Sequence, residues 1–141
     1  MVQLAHPISD LVTTGWTEDD GDTTNQFQEI DENFSSPNDA DYIKTATPPG
    51  SNEYECGLTS LTDPVSSSGH IMKVRAREPV GGGANISLQL RLLQTSTQIK
   101  SSTQNPLGSS FTDYTFTLSG PEADAITDYT ALRFEVIATQ V

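Results

Sequence analysis

Through much of this chain apolar and polar residues alternate one by one, the period of a strand with one buried face. The clearest run is Asn85–Leu93, where Ile86, Leu88, Leu90 and Leu92 share one parity and Ser87, Gln89 and Arg91 the other. Glu53–Leu58 alternates around Tyr54, Cys56 and Leu58, and His70–Arg77 around His70, Met72, Val74 and Ala76. Phe111–Leu118 turns Tyr114, Phe116 and Leu118 inward. Ala131–Thr139 does the same with Leu132, Phe134, Val136 and Ala138, leaving Arg133 and Glu135 outward. Shorter candidates are Leu11–Trp16, Gln26–Asp31 anchored by Phe27 and Ile30, and Asp41–Thr45 around Tyr42 and Ile43. After Gln94-Thr95-Ser96 the chain is expected to run back around Ile99 as a partner strand. Turn chemistry separates these runs at Ser35–Asp39, Pro48-Pro49-Gly50, Leu61–Gly69 and Gly81-Gly82-Gly83. Only Glu122–Tyr129, behind Pro121 and with acids at its start, reads as a turn or two of helix.

Eight or so strands at short spacing, with almost no helix, predict an all-β, two-sheet antiparallel β-sandwich. Parallel βαβ architecture is excluded for want of crossover helices. Among sandwiches a jelly roll of about eight strands is favoured, because the long last strand should pair deep in a sheet. The immunoglobulin pattern of Cys, Trp and Cys is missing. Residues 1–11, broken by Pro7 and without a period, read as an N-terminal arm; 12–141 read as a single domain. A chain of 141 residues can bury one core without staples.

Composition adds two points. The apolar share of 34% is low for a globular protein, and the abundant Ser and Thr suit strands with one wet face. A low apolar share also fits a chain partly ordered by a neighbour. Cys56 is the only cysteine, so no intrachain disulfide forms, and a small packed side chain is its ordinary fate. Met1–Pro7 has neither the basic nor the apolar region of a secretory signal, and no apolar run is long enough to cross a bilayer. A soluble chain made in a cytosol is expected.

Charge is unevenly placed. Residues 1–63 hold 13 acids and one base, Lys44, whereas the remainder holds 6 acids and 6 bases. The net charge of −12 thus sits in the N-terminal part. That balance argues against nucleic acid and against an anionic membrane as partners; by itself it also keeps a protein dispersed.

Each candidate for chemistry has a plainer reading beside it. Glu18-Asp19-Asp20-Gly21-Asp22 could offer Asp19, Asp20 and Asp22 to a hard cation. It lacks the spacing of an EF-hand loop, and a solvated acidic loop is the plainer account. Glu29, Asp31 and Glu32 could pair as carboxylates, but glycosidase pairs face each other across a cleft. No nucleophile triad, phosphate loop or His/Cys ligand spacing can be assembled, and neither His6 nor His70 sits in a motif. No enzyme activity and no cofactor are expected. Trp16, at a strand end beside the acidic loop, is a possible platform for a sugar ring, although core anchoring is its commoner use. Tyr54 and Tyr114 read as core. Lys73, Arg75 and Arg77 form a basic stripe on one strand face, which could meet the acidic half of another copy or pair within its own sheet.

Four blocks of the chain, taken in order, resemble small virion proteins of tailed bacteriophages. These are Ile30-Asp31-Glu32 with Pro37–Ile43, Tyr54–Pro64, Gly69-His70 with Arg75-Ala76-Arg77, and Phe111–Tyr114 followed by Leu118–Gly120, Ala123–Tyr129 and Leu132-Arg133. Each block is a strand or turn pattern without chemistry, and the order carries the likeness over most of the chain after residue 11. The resemblance implies a jelly-roll structural protein of the decoration or cement kind, with no catalytic residues to carry over. Its partners would be the major capsid protein and copies of itself, a homotrimer being one possibility, on the capsid exterior. Leu4, His6 and Ile8 of the arm and the basic stripe are the expected contact residues. A carbohydrate-binding module of a tail fibre or baseplate, with Trp16 as platform, is the alternative.

Overall fold

Residues 2–79 and 85–141 are described by a computed structural model, and the Gly81-Gly82-Gly83 link lies outside them. Nine strands follow one another: β1 (Pro7–Thr14), β2 (Trp16–Glu18), β3 (Ile43–Thr45), β4 (Gly50–Leu58), β5 (Ile71–Ala76), β6 (Ile86–Gln94), β7 (Thr97–Gln104), β8 (Thr112–Thr117) and β9 (Leu132–Gln140). All pairings are antiparallel. The main sheet has the order β1-β4-β9-β6-β7, and two ribbons, β2-β3 and β5-β8, complete the strands. The chain is an all-β antiparallel sandwich in which the second layer is split into those two ribbons.

Alternation explains which side of the main sheet is covered. Tyr54, Val136 and Leu90 lie in one cross-strand row, with Cys56, Phe134 and Leu92 in the next. These side chains share a cluster with Met72 and Val74 of β5, Tyr114 and Phe116 of β8, Trp16 of β2 and Ile43 of β3. Leu90 and Cys56 are completely buried. The last strand, β9, lies between β4 and β6, as Greek-key and jelly-roll connections place a late strand between earlier ones. After Leu92 the register with β7 shifts past Ile99, whereas that with β9 runs on unbroken; Leu93, opposite Arg133 and of the other parity, is buried as well.

Four expectations change. The arm is shorter than residues 1–11, because Pro7–Thr14 is already sheet, hydrogen-bonded along β4. The strand expected at Leu11–Trp16 is divided by Gly15, whose φ of 74° lets the chain turn into β2. A Cβ at that position would lie 2.6 Å from the Asn52 side chain. Gln26–Asp31 is not a strand: Gln26–Glu29 forms a single 3-10 turn. Its first two N–H groups, those of Gln26 and Phe27, are taken at 2.7 and 2.8 Å by the carboxylate of Asp10 in β1. That captures donors a helical turn would otherwise leave unsatisfied. The predicted helix begins earlier than expected, at Gly120–Asp124, under a capping box formed by Ser119 and Glu122.

Candidate interaction surface

The N-terminal segment is the first candidate contact region, and it is laid against its own chain. Gln3 exchanges two hydrogen bonds of 2.8 Å with the backbone of Thr62. The backbone of His6 meets Thr59 through both its N–H and its carbonyl. These contacts extend the line of β1 beside the end of β4, so the segment is held in place before any partner arrives. Yet its large apolar side chains stay in the open: Val2 is 88% exposed, Leu4 58%, Ile8 47% and Leu11 45%. Burying such groups against a partner is favourable, and four within ten residues form a continuous apolar line.

A concavity lies on each side of this line. One, of about 280 Å³, is walled by Ile8, Leu11, Leu58, Leu132 and Arg133 among others. The other, of about 210 Å³, is formed by Leu4, Ala5 and His6 facing Asp31, Glu32, Asn33 and Phe34. In the second one side carries the apolar Leu4 and Ala5, and the other carries the acids Asp31 and Glu32.

The acids of residues 18–41 crowd one another. Burial raises the Glu18 carboxyl above its ordinary value, helped by Glu29, Asp22, Asp20 and Asp10. Glu29 is raised by burial and by Asp41, Asp19, Asp20 and Asp31. Glu32 is raised by burial first, with Asp41, Asp31 and Glu29 adding to it. The candidate cation loop hydrogen-bonds within itself: Asp22 accepts from Thr23 and Thr24, and Asp20 from the N–H of Asp22. These bonds hold the Asp22 carboxyl below its ordinary value. Lys44 donates to the backbone carbonyl of Asp19, not to a carboxylate. Among the described residues, carboxylates that come together with metal-like spacing are Glu53, Glu55 and Glu135, within 4.8 Å of one another on the open face of the main sheet. Asp19, Asp20 and Asp22 are not part of that group.

The sheet carboxylates have arginines beside them. Arg91 meets Glu135 at 2.8 Å and Arg133 meets Glu55 at 3.0 Å. Glu135, expected outward, does face outward but is only 6% exposed, between its cross-strand neighbours Glu55 and Arg91. Its carboxyl is raised by burial, against the pull of Arg91.

The basic stripe finds partners within the chain. Arg75 grips Asp39 through two bonds of 2.6 Å and its cross-strand neighbour Asp113 at 2.9 Å, which raises the guanidinium pKa and lowers that of Asp39. Lys73 lies over the ring of Phe34, and Arg77 over that of Phe111 at 4.9 Å. The stripe thus ties the 33–42 loop to the β5-β8 ribbon, leaving less of its charge for a second copy. Trp16 is a correction as well: it is 8% exposed and packs against Tyr54, ring centroids 6.4 Å apart, so it offers no platform to a sugar. Cys56 packs inside as expected, and burial pushes its thiol up to about 12, which keeps it in the unreactive form.

Two features were not read from the sequence. Asp10 joins β1, Tyr54 and the 3-10 turn through one carboxylate; it lies in the stretch read as an arm, outside any expected strand. The carboxylate group of Glu53, Glu55 and Glu135 required knowing that β4 lies beside β9. No protein-family model, curated protein or solved structure matches this chain.

Proposed function

We propose that this chain is a non-enzymatic structural protein of a phage virion, a decoration or cement protein that binds the outer capsid shell. It would stabilise the shell by spanning subunit contacts, with the major capsid protein and copies of itself as partners. The ordered block resemblance supplies the family. The observation that carries the mode of action is the N-terminal segment, pinned to Thr59 and Thr62 while Val2, Leu4, Ile8 and Leu11 stay exposed. A prearranged apolar line loses little entropy on docking, which is how a small protein gains affinity for a large surface. The acidic surface suits the outside of a shell better than contact with packaged DNA.

Particles purified with and without the protein test the reading. Copies set by shell symmetry, together with release of DNA at a lower temperature when the protein is missing, are the expected results. Finding it in a few copies at the tail, or an unchanged shell melting temperature without it, would overturn the proposal.

A further inference from the structure

We infer that the groove between Leu4–His6 and Asp31–Phe34 docks a basic, apolar-studded extended segment of a partner protein. The inference rests on the reading of the chain as a binding protein of a particle and names the chemistry of what it binds. Three observations converge on this place. One side of the groove carries the apolar Leu4 and Ala5, and Leu4 is more than half exposed. Its far wall carries Asp31 and Glu32, and the charged groups that act on the Glu32 carboxyl are further acids, Asp41, Asp31 and Glu29. Among the described residues none of these four carboxylates forms an ion pair; the pairs within the chain fall on Asp39, Asp113, Glu55, Glu122 and Glu135. One oxygen of Glu32, Oε1, is out of solvent and has no hydrogen-bond partner.

A lysine or arginine entering beside Asp31 and Glu32 would neutralise this wall, and the apolar residue next to it, which points to the other side of an extended chain, would meet Leu4. Alternating basic and apolar residues of an extended segment meet such a two-sided groove. A second copy of this chain fits poorly, because its one cationic stripe is already engaged by Asp39, Asp113, Phe34 and Phe111. Nucleic acid is repelled by the wall.

The test uses the full chain, isotope-labelled, titrated with three synthetic peptides of about ten residues. One alternates lysine and leucine, one lysine and serine, and one glutamate and leucine. The lysine–leucine peptide should shift the amide resonances of residues 4–6 and 31–34 in a saturable manner. The double variant Asp31→Asn, Glu32→Gln should weaken this binding by about fivefold or more, since charges at a contact govern partner choice. Leu4→Ser should weaken it too, with the rest of the spectrum unchanged. Equal binding of the lysine–serine peptide, binding of the glutamate–leucine peptide, shifts elsewhere or none, or concentration-dependent shifts of the chain alone at the same residues, would overturn the inference. Because the peptide titration involves no particle, its failure leaves the capsid experiment standing, and the reverse also holds.

Discussion

Two regions of this molecule handle acidic residues in opposite ways. On the open face of the main sheet Glu55 and Glu135 are nearly buried, and each has an arginine on a neighbouring strand. In the 18–41 layer, Glu18, Glu29 and Glu32 face mainly other acids, and no arginine or lysine pairs with them among the described residues. A carboxylate held out of water needs a counter-charge, because leaving it bare costs several kcal/mol. A half-buried carboxylate can do without one, at the cost of a raised pKa. The sheet therefore spends its bases on its own stability, whereas the loop layer keeps an unneutralised field directed outward. The difference marks the loop layer as the side with electrostatic work left for a partner.

The strongest way to break the comparison is to cut the link between the regions. Asp10 accepts from the Tyr54 hydroxyl at 2.8 Å and from two N–H groups of the 3-10 turn. Asp10→Ala leaves a buried phenol and two backbone donors unpaired, which should cost about 2–4 kcal/mol of stability in urea unfolding. Asp10→Asn, which keeps one acceptor oxygen, should fall between the variant and the parent. Hydrogen exchange at residues 26–30 should accelerate in Asp10→Ala before the main sheet responds. A loss under about 0.5 kcal/mol would mean that the turn is held by something else.

Next in size is the sheet pairing itself. Arg91 is one-third exposed, bonds Glu135 and also reaches Gln89 at 2.8 Å. Arg91→Ala leaves Glu135 shielded without a counter-charge. Partial solvent access reduces the cost below that of a fully buried pair, to about 1–3 kcal/mol at neutral pH. Without Arg91 the Glu135 carboxyl should hold its proton to higher pH, so the deficit should shrink as the pH is lowered. An equal deficit from about pH 4 to about pH 7 would show that the arginine acts through packing of its stem instead.

The legibility of these regions in the sequence divides along the same line. Strands β4, β5, β6, β8 and β9 are visible because a half-buried strand must alternate, and the inward sets around Leu90, Met72 and Val136 lie where parity puts them. The 26–31 segment misleads because its conformation is decided by Asp10, sixteen residues upstream of Gln26, and not by its own apolar spacing. Parity also says which side Glu135 faces but not how covered it is, since that depends on the lengths of neighbours such as Arg91 and Arg133. Trp16 could be placed at a strand end, but not seen to turn inward onto Tyr54. In the candidate surface, Leu4 and Ile8 were visible as apolar residues outside a clear period. Their groove partners, Asp31–Phe34, were not, because only the fold brings the two segments together.

The smallest predicted effect has the opposite sign, and that makes it the sharpest test of the contrast. Glu29 is half-buried, and burial together with Asp41, Asp19, Asp20 and Asp31 raises its carboxyl above the ordinary 4.5. A carboxyl raised in the folded chain holds its proton longer there than in the unfolded chain. Its contribution to stability is therefore full below about 4.5 and is lost as the pH rises through the folded value. Glu29→Gln removes that loss. The variant should melt about 1–3 °C above the parent near pH 7 and show no gain at about pH 3, where the parent's carboxyl is protonated in both states. Added salt should shrink the gain at pH 7, because screening relieves the same repulsion in the parent. A variant that melts lower than the parent at neutral pH would mean that Glu29 has a stabilising partner after all, and the loop layer would then resemble the sheet.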